Sequence, residues 1–279
     1  MKKIITILLI SLIAISYKPS NKIRTWVAIG DSITYLNDHL NETGNRISRG
    51  YLSRVIRNLP GLQYTNKGYN GWTSAMIAEK FDELTIKKSD LYTVFLGTND
   101  WWQGRPVGKL DDYLNNTGNN TLYGSFRIIV DKLKGLNTQA NIVLITPMQR
   151  VDFVYLFDFK NNAYGSYKEK NGQSLAQFAD AIVQIGKHEK FPVIDLYNKS
   201  GMTLEKLVQY KRLKDPASGV YKNYRYPDFI DVPFDPAKDD YPYPKGSGGY
   251  TYDGLHPSDE GYDVIAEMLT KAIKDLNGK

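Results

Sequence analysis

No cysteine occurs among the 279 residues. That excludes disulfides, thiolate nucleophiles, Cys-ligated zinc and iron–sulfur clusters together. Histidine is scarce as well. His39, His188 and His256 are too few and too scattered for an all-histidine metal site. No apolar run approaches the roughly 20 residues a membrane-spanning helix needs. Basic residues outnumber acidic ones by only 36 to 30, without a basic block, so no nucleic-acid partner is expected. No internal repeat and no linker interrupts the chain, which reads as one domain large enough to bury its own core. Three catalytic signatures are missing too: the Gly-x-Ser-x-Gly elbow, His-Glu-x-x-His, and a phosphate loop with its lysine.

The N-terminus has the layout of an export signal. Lys2 and Lys3 precede an apolar run from Ile4 to Ile15, and Ala14 and Ser16 put small side chains at peptidase spacing. Residues 1–16 are therefore expected to be a signal peptide, and the mature chain, 17–279, to be periplasmic or secreted from a bacterium. After cleavage nothing is left to insert stably in a membrane. Absence of cysteine is compatible with that destination, because a core of this size needs no staple.

Beyond the leader, strand and helix patterns alternate. Short apolar runs bounded by Gly, Pro or Asn fall at Thr25–Ile29, Leu62–Thr65, Leu91–Leu96, Asn141–Thr146 and Pro192–Leu196. Runs of this kind fit strands buried on both faces. Helical periodicity covers about 50–58, 73–87, 122–136, 174–189 and 258–276. The last has one apolar stripe from Val264 to Leu276 and a Ser258 start followed by Asp259 and Glu260. Such alternation predicts an α/β fold, a central parallel sheet with helices on both faces. Residues 115–120 read as a loop. Residues 211–252 show little periodicity but many tyrosines, and are expected to form an irregular, packed insert that serves as a lid or binding loop. His188, late in a helix, and His39, in a loop, are expected to be ordinary surface residues.

Ligands on open α/β sheets bind beyond the carboxyl ends of the strands. The residues found there form a kit for acyl transfer. Gly30-Asp31-Ser32 follows the first strand, Asn66 to Gly71 the second, and Gly97-Thr98-Asn99-Asp100 the third. Asp253-Gly254-Leu255-His256 precedes the last helix. Ser32 supplies a hydroxyl, inert at neutral pH until a base takes its proton. His256 is the candidate base, and Asp253 can hold its ring. The Ser32 and Gly71 backbone N–H groups and the Asn99 side-chain amide suit an oxyanion hole. Each piece alone is commonplace; together, in this order, they are specific. Loss of Asp253 is expected to be milder than loss of Ser32 or His256 if a backbone carbonyl also orients the ring.

These blocks resemble those of the SGNH/GDSL hydrolase family of esterases and lipases. GDSIT matches the first block with Ser32 as nucleophile, and NKGYNG is similar to the second, ending in Gly71. GTND matches the third with Asn99, and DGLHP the last with Asp253 and His256. The resemblance runs from Trp26 to about Ile273. It implies a flavodoxin-like three-layer α/β/α sandwich and metal-independent ester hydrolysis with no cofactor. No protein partner is expected. The 211–252 insert departs from the family's usual core.

Trp72, Trp101 and Trp102 follow the oxyanion segments and are expected to bind substrate, because aromatic faces suit sugar rings or acyl groups. With a tyrosine-rich rather than aliphatic insert, they point to a carbohydrate ester, acetyl above all. Two alternatives stay open. One is a lysophospholipase or thioesterase using the same kit on lipid acyl groups. The other is a carbohydrate-binding protein that kept the scaffold without catalysis.

Overall fold

The computed structural model describes residues 22–278, so the expected signal segment lies outside the described residues. In chain order the elements are β1 (Thr25–Gly30), α1 (Ser32–Tyr35), α2 (Tyr51–Asn58), β2 (Gln63–Gly68), α3 (Ser74–Lys80), β3 (Leu91–Phe95), α4 (Thr98–Trp102) and α5 (Leu110–Leu114). They continue as α6 (Leu122–Leu136), β4 (Asn141–Ile145), β5 (Phe153–Tyr155), β6 (Asp158–Ala163), α7 (Leu175–Glu189), β7 (Val193–Ile194) and α8 (Leu196–Lys199). The chain closes with α9 (Leu204–Leu207), β8 (Lys211–Lys214), β9 (Tyr221–Tyr224) and α10 (Asp259–Asn277). No described helix is long and apolar enough to cross a membrane.

Five strands form one parallel sheet in the order β2-β1-β3-β4-β7. The expected three-layer sandwich is what the chain forms, and each expected strand and helix is present. Alternate residues of β1 feed two cores. Trp26 and Ala28 join α2 and α10 on one face, through Tyr51, Val55, Ile265 and Leu269. Val27 and Ile29 join α3, α6 and α7 on the other, through Ile77, Phe126, Phe178 and Ile182. This is the two-residue period of a strand read out as two layers. Local chemistry sets the helix starts. Ser258 Oγ caps α10 by accepting from the Gly261 N–H, and Thr73 and Thr121 cap α3 and α6 in the same way.

The strand order places a topological switch between β1 and β3, the location where open α/β sheets bind ligands. The register levels the strand ends there, with Gly30 beside Gly68 on β2 and beside Phe95 on β3. The loops that follow therefore leave from a single rim.

Two boundaries differ from expectation. α3 stops at Lys80 rather than near residue 87, because the chain turns after Phe81 and Thr85 takes a left-handed φ of 50°. The 211–252 insert is not irregular throughout, since β8 and β9 pair as an antiparallel hairpin. Its alternation is disguised because one inward position is a lysine. Lys211 is buried and paired with Asp152 at 2.7 Å, and Leu213 is the apolar partner facing the same way. A second hairpin, β5–β6, stands beside the sheet's carboxyl rim.

Candidate active site

Four loops meet over the switch point. Ser32 opens α1 directly after β1, and Asp31 caps that helix by accepting from the Ile33 N–H at 3.0 Å. Tyr262 OH donates to the Ile33 carbonyl at 3.0 Å, and Thr34 bonds Tyr51 at 2.9 Å, so α1 is pinned from two helices. Burial is the main cause raising the Asp31 carboxyl to a pKa of about 6.

The Asp253–His256 segment is a tight turn. Asp253 Oδ1 accepts the Leu255 N–H at 3.0 Å and the His256 N–H at 2.7 Å, while Oδ2 meets His256 Nδ1 at 2.7 Å. His256 Nε2 lies 2.9 Å from Ser32 Oγ, across 224 positions of sequence. Gly254 lies at φ 90°, and a Cβ there would stand 2.0 Å from the Asp152 carbonyl, so only glycine fits this turn. Phe153 meets the imidazole edge-on and Tyr252 stacks on it. The ring is thus held by an acceptor and two aromatic neighbours. Among the described residues no backbone carbonyl bonds Nδ1, so the expected milder effect of losing Asp253 has no structural basis.

Asn99 stands in the first turn of α4, where Nδ2 donates to the Trp72 carbonyl at 3.1 Å and keeps its second hydrogen for a ligand. Asp100, beside it, is buried and binds the Ser74 N–H at 2.9 Å, locking α4 to the start of α3. Gly71 has φ 73°, and Gln103 Nε2 donates to its carbonyl at 2.7 Å. Ser32, Gly71, Asn99 and His256 all line one cavity of about 400 Å³. The structure therefore brings together the nucleophile, base and oxyanion candidates. Asp253 lies just behind them.

The tryptophans separate. Trp102 lines the cavity. Trp101 does not, because its indole is buried in the second core with Nε1 donating to the Gln173 carbonyl at 2.9 Å. The expectation that it binds substrate is corrected on that ground. Trp72 stacks on Tyr69 and does not line this cavity, although its carbonyl holds the Asn99 amide. The sequence reading missed Arg150, Phe153, Tyr155 and Tyr252, which line the cavity. Two of them were within reach. Arg150 follows the end of β4, a strand end of the kind already searched, and Tyr252 adjoins Asp253.

Chemically, an alcohol hydrogen-bonded to an oriented imidazole, beside amide donors, can attack a carbonyl and stabilise the tetrahedral oxyanion. Sheet order and site together define an α/β/α hydrolase acting on ester bonds. The chain belongs to the GDSL-like Lipase/Acylhydrolase family, whose model matches residues 28–264. A protein from Chitinophaga pinensis DSM 2588, described as a possible lipase, is 60% identical. The match covers 90% of this chain and 98% of that one, at a TM-score of 0.89. A lipase/acylhydrolase from Enterococcus faecalis is 17% identical over 91% and 96% of the two chains, at 0.54. A catalytic mutant of an acetylxylan esterase from Geobacillus stearothermophilus is 18% identical over 90% and 94%, at 0.51. These last two are similar in fold. Among curated proteins none matches the chain.

Proposed function

We propose that this hydrolase is an exported serine esterase that removes small acyl groups, acetyl first, from a carbohydrate. The observation that carries the mechanism is the unbroken hydrogen-bonded line from Ser32 Oγ through His256, both on the cavity wall, to Asp253 behind them. Ser32 Oγ attacks the ester carbonyl as its proton passes to His256 Nε2. The oxyanion is received by the Ser32 and Gly71 N–H groups and by Asn99. The tetrahedral species collapses and the alcohol leaves with the proton from Nε2, which gives an acyl-serine. Water then gives a proton to Nε2 and attacks the acyl carbon, and collapse returns the carboxylic acid and free Ser32. Asp253 supports the imidazolium formed in each half.

The cavity supports the small-acyl reading. About 400 Å³ accommodates a short acyl group with one sugar ring. Its walls mix aromatic faces, Trp102, Phe153 and Tyr155, with the amides of Asn70, Gln103 and Asn161. That mixture suits a ring with apolar faces and a hydroxyl rim. Export rests on the layout of residues 1–16, and N-terminal sequencing of the protein recovered outside the cytoplasm tests it; a start near Tyr17 is expected.

An ester panel of graded acyl length and alcohol type, run beside Ser32→Ala, tests the rest. Release of acetate from acetylated saccharides, abolished in the variant, is the expected result. Turnover confined to long-chain esters or lysophospholipids overturns the acetyl-sugar reading. Sugar affinity without turnover of any ester overturns the enzymatic one.

A further inference from the structure

Arg150 is a buried cation that the ester reaction does not use. It lies past the end of β4, is 1% exposed and lines the cavity with Ser32, Asn99 and His256. Its backbone is fully engaged with Ser166, donating to Oγ at 3.1 Å and accepting from the N–H at 2.8 Å. Its guanidinium is not. Nε has no acceptor, and Nη2 reaches the Ala163 carbonyl only at 3.4 Å. None of the ion pairs among the described residues includes it. Asp152 is taken by Lys211 at 2.7 Å and by Tyr167, and Asp253 by His256. Aromatic faces hold the group instead, with Cζ 5.7 Å from the Trp101 ring and 5.6 Å from that of Trp102. Lys170 Nζ lies 4.6 Å over the same Trp102 ring, outside the cavity lining. Glu42, the carboxylate on the lining, is engaged by Tyr35 OH at 2.9 Å.

A buried cation without a hydrogen-bonded carboxylate is costly to keep, even with the Asp152 and Asp253 carboxylates near enough to support its charge. Burial lowers the Arg150 pKa to about 10, which leaves it charged at neutral pH. A guanidinium presents a planar fork of donors that matches a carboxylate. We propose that Arg150 receives a carboxylate carried by the substrate, so that the site selects anionic esters. This rests on Ser32 being the nucleophile. The carboxylate has two sources, a dicarboxylic acyl group or an acetylated uronic acid.

The test compares kcat/KM in two arms, each above the background of Ser32→Ala. One sets 4-nitrophenyl hemisuccinate against 4-nitrophenyl acetate. The other sets acetylated methyl galacturonide against acetylated methyl galactoside. Wild type is expected to prefer the anionic member of one arm, which identifies the source. Arg150→Met is expected to cut that preference roughly tenfold to a hundredfold, whatever it does to overall rate. No preference in either arm, or one unchanged in the variant, overturns the proposal. Should Arg150→Met fail to fold, inhibition of the wild type decides. Succinate or galacturonate is expected to compete at least about tenfold better than succinamide or galactose; equal inhibition overturns the proposal. Turnover that persists in Ser32→Ala would instead sink the reading of the nucleophile, a separate outcome.

Discussion

Asp253→Asn separates catalysis from folding. Oδ1 of Asp253 accepts two backbone N–H groups, and the asparagine carbonyl can keep both. The amide NH2 then replaces Oδ2 opposite His256 Nδ1, where 2.7 Å separates the atoms. It donates where the carboxylate accepted, so the ring proton moves to Nε2. Nε2 then donates to Ser32 Oγ across the 2.9 Å contact and cannot take the serine proton. A wrong tautomer, with no charge behind the imidazolium, is expected to lower kcat on 4-nitrophenyl acetate about 10³- to 10⁴-fold. That is about 4–5.5 kcal/mol of barrier. Thermal unfolding should stay within about 1 kcal/mol of wild type, since the turn keeps its bonds. Asp253→Ala should lose activity comparably and also destabilise, by about 1–3 kcal/mol for each of the two N–H groups left unpaired. An asparagine variant that melts like wild type and retains kcat within tenfold would refute the reasoning.

Asn99→Ala removes one oxyanion donor and should cost kcat about 10²-fold, near 3 kcal/mol, with KM little changed; steady-state kinetics check the split. Trp101→Ala should destabilise by about 3–5 kcal/mol because the indole is wholly buried, whereas Trp102→Ala should chiefly raise KM for a saccharide ester. Denaturant melts and kinetics on both variants distinguish core from cavity. Burial pushes the Asp31 carboxyl up to about 6 in the fold from its ordinary 3.8. The folded protein therefore binds the extra proton, and stability is lost as pH rises from about 4 through 6. Asp31→Asn removes that penalty and should gain about 2–3 kcal/mol on wild type between pH 4 and pH 7. Paired urea melts across that range read the difference, and parallel curves would contradict it.

The sheet was legible because its strands are apolar on both faces and end at Gly, Pro or Asn. The catalytic kit was legible because each member follows a strand end or precedes a helix. The β5–β6 hairpin was not. β5 has three residues, and β6, Asp-Phe-Lys-Asn-Asn-Ala, is mostly exposed and polar, so neither shows a strand's alternation. Nor could sequence divide the tryptophans. Trp101 and Trp102 are neighbours on one helical turn and point about 100° apart, so one enters the core as the other meets the cavity. Which is which depends on how α4 packs against α7.

Covalent labelling of Ser32 addresses the mechanism most directly. Diethyl 4-nitrophenyl phosphate should release one equivalent of nitrophenol and leave its diethyl phosphoryl group on the peptide that contains Ser32, as read by mass spectrometry. Ser32→Ala should take up none and His256→Ala should react far more slowly. A label on another residue, with Ser32→Ala still turning over esters, would contradict the account.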